Sequence, residues 1–248
     1  MGRRGAVAEA TRRGSRVPMI VGIVVVAVLA VVIGGVVFTQ RTSTGSSDPE
    51  TPAGSIPITR AGAQFPTQVD GTVVVAGRSA GHTLDVYEDA LCPACQQFEA
   101  KGGARIAKVV AAGKLRARYH LVNLLDERSQ PAGYSTLGAN ALLCGAENGI
   151  FPDLHVSLYT AQPEEGGTGY TADQLIDLGQ RLGAGPAYAD CVRSGKFTQA
   201  AATNFAQAAK DPDLRHQQTG SFGTPALVVD GTMLQPGDDR LDRIAPPL

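Results

Sequence analysis

The sequence predicts an α/β domain with a helical insertion, preceded by one N-terminal transmembrane helix. Three features carry that prediction. Residues 19–38 form an uncharged apolar run. A strand, the motif Cys92-Pro93-Ala94-Cys95, a helix and a second strand then follow in order. A series of helical segments finally separates that unit from a late strand beginning at Thr224-Pro225. The 248 residues suffice for one sizeable domain with appendages, and 43% hydrophobic content is in the globular range. A net charge of -1 gives no reason to expect nucleic acid as a partner.

Residues 1–18 read as a cytoplasmic basic segment, with Arg3, Arg4, Arg12, Arg13 and Arg16 against the single acid Glu9. Residues 19–38 are long enough to span the hydrocarbon core as a helix, which takes about 20 residues. The arginines hold the N-terminus in the cytoplasm and send the remainder outside. A cleaved signal peptide, giving a secreted protein, is the alternative. No small-x-small cleavage site stands before Thr39-Gln40-Arg41, so an uncleaved single-pass membrane anchor is expected. Residues 39–60, rich in Thr, Ser, Gly and Pro, read as a flexible linker. The extracytoplasmic domain is then 61–248.

Within it, Val73-Val74-Val75 suggests a short first strand, turned at Gly77 and Gly81. Residues 83–88 form the next strand and lead into the cysteine motif. Pro93 fixes a helix-compatible φ and lacks the N–H that a helix start leaves unpaired. The helix after it carries Phe98, Ile106, Val109 and Val110, with a kink or interruption expected at Gly102-Gly103. Residues 114–125 alternate, with Leu115, Ala117, Tyr119 and Leu121 on one face of a strand. This is a βαβ unit, and in an exported protein a CxxC at that position points to a thioredoxin-type sheet.

The insertion, about 130–215, reads as four or so helices. Tyr134, Leu137, Ala141 and Cys144 share a helix face. Thr171 and Gln174 make a capping box ahead of Leu175, Leu178 and Leu182. Residues 186–193 and 196–210 supply two more. Strand formers return after Thr224-Pro225 and end in an Asp230-Gly231 hairpin turn, with a return strand over 232–234. Residues 239–244 allow no more than a turn or two of helix.

Cys92 at a helix N-terminus has the dipole and free N–H groups that favour a thiolate. Two competing readings of the pair are half of a zinc site and a purely structural staple. Zinc needs two further ligands at ordered spacing. Cys144 and Cys191 lie in separate helices, and His82, His120, His155 and His216 occur singly. Each histidine reads as a surface or packing residue, and no metal, nucleotide or haem cofactor is expected. A staple does not need a helix start.

Taken with Phe98, the helical insertion and Gly223-Thr224-Pro225, the Cys92-Pro93-Ala94-Cys95 motif resembles the DsbA-like branch of the thioredoxin superfamily, in its exported actinobacterial form. The resemblance covers roughly 73–234. It implies that Pro225 is a cis proline facing Cys92 and Cys95, with the Thr224 backbone available to a bound polypeptide as an added strand. It also implies a structural disulfide between Cys144 and Cys191, two buried thiols being the alternative. Many relatives place a buried acid six residues before the first cysteine, where this chain has Val86. Asp85 points to the opposite face from Val86, Glu88 shares its face, and Asp89 matches a common acidic position.

The resemblance implies that Cys92 is the exposed nucleophile and Cys95 the shielded resolving thiol, supported by Pro93, Ala94, Thr224 and Pro225. Ala94 lacks the imidazole of a Cys-Pro-His-Cys motif, so Cys92 is expected to be acidified, but less so than there. The expected activity is extracytoplasmic thiol:disulfide exchange that oxidises exported polypeptides. Reoxidation would fall to a membrane quinone-linked oxidase, DsbB-like or of the vitamin-K-epoxide-reductase type. A reductase or isomerase of the same fold and a non-enzymatic polypeptide-binding chaperone module are the alternatives. A monomer is expected, since no N-terminal dimerisation domain is seen.

Overall fold

A computed structural model describes residues 54–247. The expected basic segment, the membrane helix and the linker up to residue 53 lie outside those residues. Among the described residues no helix is long and apolar enough to cross a membrane.

Six strands form one sheet: β1 (Thr67–Asp70), β2 (Val73–Ala76), β3 (His82–Glu88), β4 (Leu115–Leu121), β5 (Ala226–Val229) and β6 (Thr232–Met233). Their order is β1-β2-β4-β3-β5-β6. The β3–β4 pair is parallel and every other pair antiparallel. In the centre Val86 sits opposite Tyr119 on β4 and Leu227 on β5. The residues expected on one face of β4, Leu115, Ala117, Tyr119 and Leu121, are all buried. That strand stops at Leu121 rather than running to 125: Val122 makes the last backbone bond to β3, at the Glu88 carbonyl, and by Leu125 the N–H turns instead to the Asp89 carboxylate. β1 has no counterpart in the sequence reading. It is an edge strand with one apolar residue, Val69, and half-exposed edges carry little hydrophobic signal. At the β5–β6 turn Asp230 and Gly231 adopt φ 49° and 79°, the left-handed pair a two-residue hairpin requires.

The helix after the cysteine motif is built in three pieces: α1 (Pro93–Phe98), a π-turn (Glu99–Gly103) and α2 (Ala104–Ala111). At Gly102-Gly103, where a kink or interruption is expected, the π-turn interrupts the α-helical repeat and widens the helix without ending it. Between β4 and β5 lie five helices: α3 (Tyr134–Glu147), α4 (Phe151–Thr160), α5 (Ala172–Arg181), α6 (Pro186–Ser194) and α7 (Thr198–Ala208). A short α8 (Arg240–Ile244) follows β6. α4 is the helix the sequence did not single out. It is buried on nearly every side, so no polar stripe marks its period. The Thr171–Gln174 capping box forms at the start of α5. Gly179 on α5 has no side chain because the Tyr188 ring of α6 occupies that space, with its hydroxyl donating to Leu175 O at 3.2 Å. A disulfide joins Cys144 on α3 to Cys191 on α6.

The last residues of the expected linker do not behave as a tether. Ile56 is buried, and its carbonyl accepts from Arg181 at 2.6 Å. Thr59 exchanges two hydrogen bonds with the Ser157 hydroxyl, and Arg60 pairs with Asp153 at 2.7 Å. Composition hid this because the anchoring is through backbone groups, one apolar side chain and one arginine.

Candidate active site

Cys92 closes the loop after β3 and serves as the N-cap of α1, with extended backbone at φ -78°, ψ 117°. Gln96 N–H donates to its carbonyl at 3.1 Å, so the helix begins immediately beyond the thiol. Pro93 and Ala94 are exposed and Cys95 is fully buried. Both cysteines are thiols and pack with Tyr159 of α4. The Cys92 thiol is lowered from its usual 9.0 to about 6. Its largest cause is hydrogen bonding from Cys95; burial opposes it, and the Thr224 side chain and the backbone of Cys95 and Ala94 assist. Burial, followed by the hydrogen bond to Cys92 and the charges of Cys92 and Glu88, pushes Cys95 well above its usual value. The two sulfurs are therefore unequal: one is a stable thiolate near neutrality, the other holds its proton.

Cys92 was expected to be the exposed member of the pair, yet it is only 7% exposed. The reason is the segment facing it. The Thr224-Pro225 peptide bond is cis, and Cys92 Sγ donates to the Thr224 carbonyl at 3.4 Å. Thr224 Oγ1 is buried with no hydrogen-bond partner, leaving it available as a donor to the Cys92 thiolate. Beside Pro225 a cavity of about 310 Å³ is lined by Phe98, Leu227, Leu234 and Leu241, with Arg105 and Asp238 among its polar residues.

The acid missing at Val86 is supplied two residues later in the same strand. Glu88 is fully buried, and one oxygen meets His155 Nε2 at 2.6 Å. Asp89, also buried, accepts from Leu91 N at 2.8 Å, Ser135 Oγ at 2.6 Å and Leu125 N at 2.8 Å. Burial raises its carboxyl from 3.8 to about 6 despite those bonds. Strand alternation had put Glu88 on the face of Val86. His155 is a packing residue, as read, with its ring against Tyr119, Phe151 and Tyr159; its pairing with Glu88, 67 positions away, had no signal in the sequence. Among the described residues Glu88, Glu99 and His155 form the one group of three such side chains close enough to share an ion.

The fold and the site define a class: a thioredoxin-type sheet with an asymmetric dithiol at a helix start, opposite a cis proline. The chain belongs to the thioredoxin family, whose model matches residues 68–244. It has the DsbA-like thiol–disulfide oxidoreductase fold. It is 26% identical to the reduced DsbA crystal structure from Mycobacterium tuberculosis, covering 75% of this chain and 91% of that one at a TM-score of 0.57. For the reduced disulfide oxidoreductase DsbG of the same organism the identity is 27%, covering 77% and 89%, at a TM-score of 0.56. A curated relative, the serine/threonine-protein kinase PknE of M. tuberculosis, is 32% identical over 169 residues, 65% of this chain. The chain spans 29% of the length of the curated relatives it matches.

Proposed function

We propose that the protein is an extracytoplasmic thiol:disulfide oxidoreductase that oxidises exported polypeptides. One observation carries the reading: a thiol lowered to about 6 at Cys92, under the cis Thr224-Pro225 bond and next to a buried, protonated partner at Cys95. In the oxidised enzyme a substrate thiolate attacks Cys92 Sγ. The Cys92–Cys95 bond breaks, a mixed disulfide forms, and the electron pair leaves on Cys95, which takes up one proton. A second substrate thiolate attacks the substrate sulfur of the mixed disulfide and expels Cys92 as a thiolate. A leaving group with a pKa near 6 departs more readily than an ordinary thiol. The cavity beside Pro225, apolar at Phe98, Leu227, Leu234 and Leu241, and the half-buried Thr224-Pro225 segment next to it suit an extended polypeptide rather than a small molecule.

Location and partners belong to the same proposal. The uncharged run at 19–38, the arginines before it and the Cys144–Cys191 bond favour a membrane-tethered domain in an oxidising compartment. A membrane quinone-linked oxidase, DsbB-like or of the vitamin-K-epoxide-reductase type, would restore the disulfide. The test is the reduction potential of the Cys92–Cys95 pair, with turnover of a dithiol peptide. A potential around -120 mV, with turnover lost in Cys92→Ser, supports the oxidase; one near -270 mV turns the assignment to a reductase.

A further inference from the structure

We infer that His155 and Glu99 act through Glu88 as a proton path between the buried Cys95 sulfur and a groove distinct from the cavity beside Pro225. The inference rests on the thiol–disulfide reading above, which requires Cys95 to take one proton when the disulfide opens and to release it when the disulfide re-forms. Cys95 has no solvent exposure, so that proton needs a route.

The geometry supplies one. Each ring nitrogen of His155 faces a different carboxylate: Nε2 lies 2.6 Å from Glu88 Oε1, and Nδ1 lies 3.9 Å from Glu99 Oε2. An imidazole addressed on both nitrogens can accept a proton on one and give it up from the other. The longer gap is the span of one bridging water or a small Glu99 rotation. Glu99 and His155 side chains are each 6% exposed, and both line a cavity of about 420 Å³ with Arg60, Gln96 and Tyr159. Neither Thr224 nor Pro225 lines that cavity. At the inner end the charge of Glu88 acts on Cys95.

Three buried oxygens along this path lack hydrogen-bond partners: Glu88 Oε2, Glu99 Oε1 and the Tyr159 hydroxyl. Buried polar atoms are seldom left so without a functional reason or water. Glu99 reaches its place because Gly103 has no side chain; a Cβ there would collide with the carboxylate. The widened turn over Glu99–Gly103 thus builds the outer end of the path. Burial raises Glu99 to about 7, against the lowering charge of His155. Burial lowers His155, but the two glutamates outweigh it and hold the ring above its usual value. Glu99 therefore exchanges its proton near neutrality, and His155 holds its own more tightly than an ordinary imidazole.

Other groups facing the path do not replace it. Tyr119 of β4 and Tyr159 of α4 hold their protons well above the usual phenol range. Arg60 is engaged with Asp153. Asp89 has both oxygens taken by Leu91, Leu125 and Ser135. A shared cation also fits poorly. Two ligands on one zinc, at about 2.0–2.1 Å each in tetrahedral geometry, lie roughly 3.3 Å apart. The 2.6 Å between His155 and Glu88 is a hydrogen bond.

In a step that balances, an attacking thiolate forms a mixed disulfide with Cys92 Sγ, the Cys92–Cys95 bond breaks, Cys95 receives the electron pair and a proton from Glu88, His155 reprotonates Glu88, Glu99 reprotonates His155, and groove water restores Glu99. The test uses the full chain in detergent, oxidised at Cys92–Cys95 and reduced by dithiothreitol from pH 5 to pH 9, with mass-tag alkylation to follow the thiols. Glu99→Gln and His155→Gln are expected to slow reduction about tenfold at pH 8 and less at pH 5, where free protons substitute. Glu99→Asp should recover most of the rate, and the Cys92 titration should stay near 6 in all three. Rates within twofold of the parent across the range overturn the path, as does slowing that comes with a displaced Cys92 titration or without rescue by aspartate. Dithiothreitol reads the path without a protein substrate. Slowed variants of a parent that fails to oxidise peptides would therefore sink only the oxidase reading, and unaffected variants of a competent parent would sink only the path.

Discussion

Cys92 Sγ and the Thr224 carbonyl oxygen lie 3.4 Å apart although 132 positions separate the two residues. The contact closes the site. It places the helix start of α1 against the first residues before β5, and the β3–β5 pairing of Val86 with Leu227 fixes its register.

The Thr224 hydroxyl contributes to holding the Cys92 thiolate, behind the larger effect of Cys95. Replacing it by valine keeps the shape and removes the donor. Thr224→Val should raise the Cys92 midpoint from about 6 toward the ordinary thiol value, by roughly one unit for one charge-assisted hydrogen bond. The pH dependence of iodoacetamide alkylation, read by mass spectrometry at Cys92, measures it directly. An unchanged midpoint would remove Thr224 from the thiolate's partners.

Because Cys95 keeps its proton and Cys92 loses its own above about pH 6, reduction takes up two protons below that pH and one above it. The reduction potential should therefore fall by about 59 mV per pH unit below pH 6 and by about 30 mV above it, as a two-electron couple requires. Redox titration against glutathione buffers at several pH values reads the break. A single slope through pH 6 would mean that Cys92 is not acidified.

The sequence made the sheet's centre and the dithiol legible because both depend on local pattern. The alternation of β4, the proline after Cys92, the capping box at Thr171 and the Asp230-Gly231 turn are each written within a few residues. The buried acids were legible only by face. Strand alternation placed Glu88 beside Val86, but its partner His155 comes from α4, a helix buried on nearly every side that gave no period to read. Glu99 hides in the same way, since its burial depends on the side-chain-free backbone of Gly103. The close cover over Cys92 was missed for a different reason: accessibility there is set by the Thr224-Pro225 segment, which arrives from far along the chain.

The Cys144–Cys191 bond closes a loop across a sequence separation of 47 and pins α3 to α6. In the chain-entropy model such a loop stabilises by about 4 kcal/mol, with less expected where the reduced chain keeps some structure. The Cys144→Ser/Cys191→Ser double variant should lose about 2–4 kcal/mol in urea unfolding. The Cys92 alkylation midpoint should remain near 6, because neither residue touches the dithiol. A midpoint that moves with the bond would show that α3, which carries Ser135 to Asp89, depends on the bond for its position.

Asp89 sets a pH dependence whose sign follows from its environment. Burial raises its carboxyl from 3.8 to about 6, so the folded protein binds this proton more tightly than the unfolded chain. The stabilisation is then fully present below about pH 4 and is lost as pH rises through about 6. A shift of that size corresponds to about 3 kcal/mol. Asp89→Asn cannot ionise, so its stability carries no such term. It also turns an amide N–H₂ toward one of the donors from Leu91, Leu125 or Ser135, which costs about 1–3 kcal/mol at any pH. Urea unfolding with Cys92–Cys95 reduced should show the parent's advantage over Asp89→Asn shrinking by up to about 3 kcal/mol between pH 4 and pH 7.5. An advantage that grows with pH would mean that the hydrogen bonds to the carboxylate outweigh its burial and that the carboxyl titrates below 3.8 in the fold.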